Sequence, residues 1–196
     1  MKVTDKYVFF YTKHDCFSQH SPHSFEYKSL KFKTAEHWMM FHKARIFILG
    51  EKAKVEDVIS YMDNHRQANP NGPACLFTRI LNANTPQQAK MLGREVPNYN
   101  DPVWFRNRCK VVFYGNILKF RQNEKIRDTM IEMHGKTFVE AAKNDKIWGV
   151  GIDINTIDIN NPPSPSDWNG ENLLGKVHDR VCEQIVQEFA PQLGLI

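Results

Sequence analysis

Carboxylate side chains stand beside aromatic residues at two places in this sequence. Glu36 and Lys43 share one predicted helix, while Glu140 and Asp145 shortly precede the pair Trp148-Gly149. Carboxylates near tryptophan suit glycoside hydrolysis, where they stabilise an oxocarbenium-like transition state and activate water. An indole can meanwhile stack on the face of a base or a sugar. The same residues could equally be ordinary capping and surface groups, so the residue types alone indicate a pocket for a planar, polar ligand.

The helix predicted for residues 34–44 would place an acid and a base within an apolar surface. Thr34 fits the N-cap position, and Glu36 lies in the first turn, where the helix dipole favours a negative charge. Residues three or four apart share a helix face, so Glu36, Met40 and Lys43 fall on one side. Charged residues of a surface helix usually face water. The pattern therefore indicates either a functional site or a half-buried charge pair.

Composition limits the classes of protein to consider. The 196 residues are 41% hydrophobic, enough for a real core, and the net charge of +4 permits an anionic substrate without requiring nucleic acid. No stretch approaches the roughly 20 apolar residues of a membrane span, and the N-terminus has no long apolar region. We expect a cytoplasmic or otherwise intracellular protein with reduced thiols, because the four cysteines show no disulfide or metal spacing. They are Cys16, Cys75, Cys109 and Cys182.

Most of the elements that the sequence predicts are helices, and strands are few and short. Residues 7–11 predict a strand, residues 25–32 a hairpin, residues 137–143 a short turn or helix, and the Pro- and Ser-rich residues 160–169 a surface loop. The predicted helices start near residues 34, 51, 74, 85, 101, 123 and 171. The fold class expected is a helix-dominated α+β domain, a single unit over residues 1–196 with a small N-terminal β element.

The longest predicted helix, residues 101–122, has two neighbouring stripes. The expected core stripe is Phe105, Cys109, Val112, Asn116, Ile117 and Phe120. The adjacent stripe is Trp104, Arg108, Val111, Gly115 and Lys119. Glycine lowers helix propensity, so Gly115 suggests a close approach, most simply by another backbone.

Common catalytic signatures are absent from the sequence. It contains no P-loop, dinucleotide fingerprint, zinc-protease motif or nucleophile elbow. His37 and His42 are five apart, a poor spacing for one metal on one helix face. We expect neither a metal nor a cofactor.

Taken together, several short motifs resemble the NADAR domain family, the YbiA-like proteins. They occur in the family's order and span roughly residues 7 to 188. The matching pieces are Ser21-Pro22 with Phe25, Thr34-Ala35-Glu36-His37 with Lys43-Ala44, residues 84–90 with Gly93-Arg94, Trp104 with Arg108, Lys119-Phe120 before Asn123, Trp148-Gly149, and residues 172–176 with Arg180.

The resemblance implies an N-glycosidase that cleaves a bond between a ribose and a nitrogen. One branch of the family acts on phosphorylated ribosylamine intermediates of riboflavin synthesis. Another removes ADP-ribose from guanine bases, so ADP-ribosylated DNA or RNA are partners to consider. The main alternative is a module that binds ADP-ribose or a nucleotide without cleaving it. A structural domain, with Glu36 and Lys43 as a plain charge pair, is the second.

The resemblance also implies roles for individual residues. The catalytic set is Glu36, Asp145 and Trp148, with one of the two carboxylates beneath the ribosyl C1. Lys43 and Arg108 would hold phosphate. The whole substrate-binding set is His37, Lys43, Trp104, Arg108, Glu140, Gly149 and Asn172.

The sequence departs from the family pattern at two places. The first helix reads Trp38-Met39-Met40-Phe41-His42, where many members have a Tyr- or Ala-rich segment with Gln, and the Pro- and Ser-rich stretch after Gly151 is longer than usual. Both departures bear on the choice of substrate more than on the reaction. The reading as an enzyme requires Glu36 and Trp148 to open onto one cavity.

Overall fold

Two small sheets and seven α-helices make up residues 1–193, the part of the chain that the computed structural model describes. The strands are β1 (Lys2–Val3), β2 (Tyr7–Phe10), β3 (Phe25–Tyr27), β4 (Leu30–Phe32) and β5 (Thr137–Glu140). The helices are α1 (Ala35–Leu49), α2 (Val55–Ala68), α3 (Leu76–Asn82), α4 (Pro86–Leu92), α5 (Asp101–Gln122), α6 (Glu124–Glu132) and α7 (Leu173–Phe189), with short 3-10 turns at Ile154–Thr156, Pro165–Asp167 and Ala190–Leu193. The predicted α+β class, dominated by helices, is confirmed.

Local sequence signals place the hairpin and most helix starts correctly. Strands β3 and β4 pair antiparallel, and Lys28 and Ser29 adopt φ values of 50° and 63°, the left-handed conformation that a tight hairpin turn requires. The Thr34 hydroxyl accepts from the His37 N–H at the start of α1, and Thr85 caps α4 ahead of Pro86 in the same way. Such signals act over a few residues, so they can be read from the sequence.

Helix α2 begins later than the sequence suggested, at Val55 instead of near residue 51. Gly50 ends α1 with φ of 99°, and a turn follows. The Lys54 N–H donates to the Asp57 carboxylate at 2.7 Å, which sets the start of the helix.

The prediction of a turn or helix over residues 137–143 is wrong, because β5 occupies this place. It lies parallel to β2, with Phe138 opposite Val8 and Glu140 opposite Phe10, and β2 also pairs antiparallel with β1. Phe138 and Val139 are both fully buried although they face opposite sides of the sheet. A strand covered on both faces shows no alternation, so its short apolar run carried no readable period.

Helix α5 buries a wider face than the one expected. Four residues of the predicted core stripe are buried, namely Val112, Asn116, Ile117 and Phe120. Phe105 is 64% exposed, whereas the neighbouring stripe, including Trp104 and Arg108, is buried. The helix packs against both α1 and α7, so its buried arc is wide and extends past the predicted stripe. A Cβ on Gly115 would lie 2.4 Å from Cδ1 of Trp38, so the close approach is by an indole and not by another backbone.

Helix α1 is the central element of the main core. Trp38, Met39, Met40 and Phe41 are all buried, although consecutive helical residues point in different directions. The helix is therefore covered on nearly all sides, which also buries the acidic side chain in its first turn. Within residues 1–193 no helix has both the length and the apolar character that crossing a bilayer requires.

Candidate active site

A cavity of about 540 Å³ lies beside the first turn of α1. The segment 11–20, helices α1 and α4, the end of β5 and the segment 142–148 form its walls. Four predicted site residues line it, namely Glu36, Glu140, Asp145 and Trp148. The expectation that Glu36 and Trp148 open onto one cavity is confirmed. The volume falls within the usual range for small-molecule sites.

Glu36 is a buried carboxyl group without the partners that such groups normally have. It is 4% exposed, and its Oε1 atom has no hydrogen bond among the described residues. The nearest basic atom to Oε2 is His20 Nε2, at 3.9 Å. Burial raises the pKa of Glu36 to about 7; the Lys90 charge opposes this shift and the Asp145 charge adds to it. Near neutral pH the group can therefore either accept or hold a proton.

Glu140 ends β5 and supplies the second such group. Its Oε2 atom is buried without a hydrogen bond from any residue that the structure describes. Burial raises the pKa of Glu140 to about 8, with further increases from the negative charges of Asp145 and Glu36. One cavity thus holds two carboxyl groups whose pKa values lie near neutrality, the condition for acid and base roles at pH 7.

A tight turn presents the indole to this cavity. The Asp145 Oδ1 atom accepts from the backbone N–H groups of Ile147 at 2.9 Å and Trp148 at 2.8 Å. Gly149 follows where a Cβ would lie 2.8 Å from the carbonyl oxygen of Glu140 and 2.9 Å from that of Asp145. Only glycine fits at such a close approach, so the turn folds directly onto the end of β5.

Asn172 joins the end of β5 to the start of α7. It has the left-handed φ of 53°, its Oδ1 accepts from the Glu140 N–H at 3.0 Å, and its Nδ2 donates to the Phe138 carbonyl at 2.9 Å. The side chain is buried and does not line the cavity. In the structure it positions the backbone that carries the Glu140 carboxyl group.

His37 and Lys43 sit outside the cavity wall. The His37 ring donates to the Ala83 carbonyl at 3.1 Å and accepts from the Thr34 hydroxyl at 2.8 Å. The Lys43 ammonium donates to the Gly93 carbonyl at 2.8 Å. Their polar atoms are engaged within the fold, and their roles in substrate binding stay predictions.

Trp104 and Arg108 lie on α5, outside the wall of the cavity. Trp104 is buried in the main core. The Arg108 guanidinium lies 6.0 Å from the Trp148 ring centre and 3.9 Å from the Glu171 carboxylate. Like Gly149 and Asn172, they do not line the cavity, so their substrate-binding roles also stay predictions.

Four further residues that line the cavity were not predicted as site residues, namely Gln19, His20, Lys13 and Lys90. Gln19 is 9% exposed, and neither polar atom of its side chain has a hydrogen-bond partner among the described residues. The Lys90 ammonium forms no ion pair within the described part of the chain. Lys90 ends one of the motifs that carry the family resemblance, a signal that could have found it. Gln19 lies in an irregular segment with no pattern to read.

Two buried side chains hold the segment that carries Gln19. The fully buried Lys119 donates to the Ser18 carbonyl at 3.0 Å, and His178 Nε2 donates to the Phe17 carbonyl at 2.7 Å. Burial lowers the pKa of Lys119 to about 7. The Gln19 carbonyl in turn accepts from the Glu36 N–H at 3.0 Å. These contacts connect the segment to α5, α7 and α1.

The NADAR domain matches residues 8–186 of this sequence. The chain belongs to the NADAR family. Its relatives include N-glycosidase R617 of Acanthamoeba polyphaga mimivirus, 33% identical over 92% of this chain and 97% of the viral protein. Protein irg-1 of Caenorhabditis elegans is 29% identical over 95% of this chain and 84% of that protein. The NMR structure of the Escherichia coli protein YbiA has a TM-score of 0.62 at 20% identity, covering 95% of this chain and 89% of that one, so it shares the fold.

This NADAR chain has no obvious metal centre in its described part. No group of three or more His, Cys, Asp or Glu side chains there could hold a metal ion. All four cysteines are free thiols, two buried and two half-buried. The chemistry available in the cavity is that of carboxyl groups, an indole, an amide and cations.

Glu36 and Glu140 should each contribute to the unfolding free energy of this NADAR domain an amount that falls as the pH rises from 5.5 to 8.5, opposite in sign to the contributions of the buried Lys119 and His42, whose pKa values are lowered. The raised pKa values of Glu36, about 7, and Glu140, about 8, mean that the folded state holds protons that the unfolded chain releases near pH 4.3. The stabilisation is complete below about pH 4 and is lost as the pH passes through 7 to 8. Glu36→Gln should remove roughly 2 kcal/mol of the change between pH 5.5 and 8.5, since the Glu36 contribution falls by about 1.4 kcal/mol per pH unit up to its pKa of about 7. Urea unfolding at several pH values measures the effect.

The exposed Glu132 provides the matched control for this pH series. Glu132→Gln should retain the full wild-type pH dependence. Parallel stability profiles for wild type and Glu36→Gln would contradict the assignment of a raised pKa to Glu36.

Asn172→Ala should lower the unfolding free energy of the NADAR domain by about 2 kcal/mol. The change leaves the Glu140 N–H and the Phe138 carbonyl without their buried partner, and each unsatisfied group costs about 1–3 kcal/mol. Urea denaturation gives the difference. Asn161→Ala, at an exposed position, is the control and should stay within about 0.5 kcal/mol of wild type. Equal stability of the two variants would show that the hydrogen bonds of Asn172 to Glu140 and Phe138 contribute nothing to the unfolding free energy.

Proposed function

We propose that this NADAR protein is an N-glycosidase that hydrolyses a ribose–nitrogen bond. The observation that carries the proposal is the pair of buried, unpartnered carboxyl groups, Glu36 and Glu140, in a cavity that also holds Trp148. The viral relative named as an N-glycosidase supports the same reaction class. Burying two carboxyl groups without partners costs stability, which is a reason to regard them as functional.

The two carboxyl groups divide the proton transfers between them. Burial raises the pKa of both toward neutrality, so each can exchange a proton near pH 7; in this proposal Glu36 acts as the base and Glu140 as the acid. As the C1–N bond breaks, its electron pair passes to nitrogen, which takes the Glu140 proton. Water bonds to C1 and gives its proton to Glu36. The products are a free N–H base and a ribose with a C1 hydroxyl.

Other groups of the cavity stabilise and position the substrate. Asp145 adds negative charge near the ribosyl carbon as that carbon becomes cationic. Trp148 offers an indole face to the base, and Gln19 offers an unused buried donor and acceptor. Lys90 and Lys13 line the cavity and are the cations available for phosphate, because Lys43 already donates to a backbone carbonyl.

Two substrate classes meet these requirements. One is ADP-ribose attached to guanine in DNA or RNA, and the other is a ribosylamine phosphate of the riboflavin pathway. Both combine a ribosyl C1–N bond with phosphate and a planar ring or polar amine. We place the reaction inside the cell, which the free thiols support. No cofactor enters the proposed chemistry.

Incubation with each substrate class tests the proposal. We expect mass spectrometry to detect a released sugar from either ADP-ribosylated guanine oligonucleotide or the ribosylamine phosphates. The Glu36→Gln variant, incubated in parallel, should release little. Absence of released sugar from both substrates with folded wild-type protein would contradict the enzymatic proposal.

Binding without cleavage is the competing function. Glu36 and Glu140 disfavour it, because two buried carboxyl groups without partners give a pure phosphate binder no advantage. A binding module would show ADP-ribose raising the unfolding free energy, by about 2.7 kcal/mol at 100 times the dissociation constant, without any sugar release. A structural domain would show neither effect.

A further inference from the structure

A second cavity, of about 600 Å³, lies on the opposite side of α1 from the candidate active site. Trp38, His42 and Arg45 line it from α1, whereas Glu36 lines the first cavity from the same helix. The spacing of these residues puts the two sets on opposite helix faces. None of the residues that line one cavity lines the other. The second cavity is therefore a separate feature of the fold.

Aromatic rings form one side of the second cavity. The Trp38 indole lies 4.0 Å from the His42 ring and 5.7 Å from the Tyr27 ring, measured between ring centres. Its N–H donates to the Val111 carbonyl at 2.8 Å, which holds the indole in place. Tyr114, on α5, adds a ring that is half exposed to solvent. The exposed Tyr27 and Tyr114 rings present faces on which a planar group can stack, whereas the Trp38 and His42 rings of the same wall are 4% and 7% exposed.

A buried donor in this wall lacks an acceptor. The Arg45 guanidinium donates through Nε to His42 Nδ1 at 3.0 Å. Because Nδ1 accepts, the ring proton of the neutral imidazole is on Nε2. Burial lowers the pKa of His42 to about 3, so the ring is neutral at pH 7. His42 is 7% exposed, and its Nε2 has no partner among the described residues. Such an unsatisfied donor is costly unless a ligand completes it.

Positive charge surrounds the mouth of the cavity. Lys54 and Lys110 are exposed, and Arg45 is half-buried. None of the three has a carboxylate partner within the described residues. The Arg45 guanidinium also donates to the Glu51 and Ala53 carbonyls. The arrangement therefore leaves two cations, Lys54 and Lys110, available to an anionic ligand.

The two acidic residues of the cavity are already neutralised by neighbours. Glu56 pairs with Lys28 at 3.0 Å. Glu51 accepts from Asn107 at 2.8 Å and pairs with Arg106 at 3.3 Å. Their presence does not cancel the charge of the unpaired cations.

We propose that this second cavity binds a nucleotide, with the base against the aromatic wall and the phosphate at Lys110 and Lys54. Aromatic faces beside cations are the features with which proteins hold nucleotides and single-stranded nucleic acid. His42 Nε2 supplies a hydrogen bond to an acceptor on the base or sugar. The nucleotide can be free or part of a single strand, since the same chemistry recognises both. The proposal is independent of the N-glycosidase reaction.

Titration with AMP and, separately, with a short single-stranded adenine oligonucleotide tests the proposal. Calorimetry gives the affinity, and the NMR signal of the Trp38 indole N–H reports binding at this wall. Lys110→Glu, an exposed change that leaves the core intact, should weaken binding about tenfold, as reversing one charge near a phosphate changes the interaction by about 1–2 kcal/mol. His42→Phe keeps the ring, removes the donor and should also weaken binding.

Two controls separate this site from general attraction and from the first cavity. Lys125→Glu makes the same change of charge at an exposed position that lines neither cavity, and Lys90→Glu makes it in the first cavity. Both should leave the affinity reported by the Trp38 indole N–H signal unchanged, whereas Lys90→Glu should affect only binding in the first cavity. Tighter binding of AMP would indicate a free nucleotide, and tighter binding of the oligonucleotide a strand. The proposal would be overturned by no response of the Trp38 signal to either probe, by equal loss of that response in Lys110→Glu and Lys125→Glu, or by its loss in Lys90→Glu alone.

Discussion

Replacing Glu36 by glutamine should reduce turnover at least about 10²-fold while the protein remains folded. General acid–base catalysis contributes about 10²–10⁴-fold, and an amide cannot take a proton from water. The buried position and the missing hydrogen bond of Oε1 make Glu36 the best-placed base in the cavity. Glutamine has nearly the same shape, so the packing around the first turn of α1 should survive. Steady-state kinetics with detection of the released sugar measures the loss.

The division of the loss between kcat and KM identifies its origin. A catalytic role predicts a fall in kcat with KM little changed, because the interaction is made in the transition state. Glu132→Gln, the exposed control, should turn over at the wild-type rate. Near-normal turnover by Glu36→Gln would remove this residue from the mechanism, and the proposed reaction would then need another base.

Gly175→Ala should destabilise the protein by about 2 kcal/mol, although alanine favours helices. A Cβ at this position in α7 would lie 2.1 Å from the Phe138 carbonyl oxygen and within 2.5 Å of the Asn172 amide group. Overpacking of this kind costs about 1–3 kcal/mol or more, which exceeds the gain of about 1 kcal/mol in helix propensity. Because the clash is with backbone, α7 and β5 would have to separate. Urea denaturation measures the change.

The neighbouring residue on the same helix provides the comparison. Lys176 is exposed, so Lys176→Ala should change the unfolding free energy by less than about 0.5 kcal/mol. We also expect Gly175→Ala to lower turnover, since the displaced β5 carries Glu140. A Gly175→Ala variant at least as stable as wild type would mean that α7 can shift without cost.

Local rules predicted the beginnings of elements better than the faces they bury. Thr34, Thr85 and Pro102 each mark a helix start that the structure contains, because capping depends on residues within one turn. Four residues of the predicted core stripe of α5 are buried, but Phe105 is largely exposed and the neighbouring stripe with Trp104 is buried as well. Which face is covered depends on where α1 and α7 lie, and periodicity within α5 does not contain that information.

The candidate site shows the same division. The family motifs in the sequence predicted that Glu36 and Trp148 share one cavity, and both residues line it. Gln19 was missed because its importance comes from burial without partners, a property of the folded chain. The spacing in the sequence places Lys43 on the same helix face as Glu36. In the structure its ammonium donates to the Gly93 carbonyl, and Lys43 does not line the cavity.

The sequence by itself determined the helix-dominated α+β class, the family and most helix starts, and it predicted the carboxyl–indole chemistry, since these depend on residue types and on spacings within a few turns. Only the tertiary structure decided that residues 137–140 form a strand beside β2, that Glu140 faces Glu36, and that α1 separates two cavities. The physical reason is that burial and charge proximity arise between segments distant in the chain. These two effects set the pKa values and the unpartnered atoms on which the proposed chemistry depends.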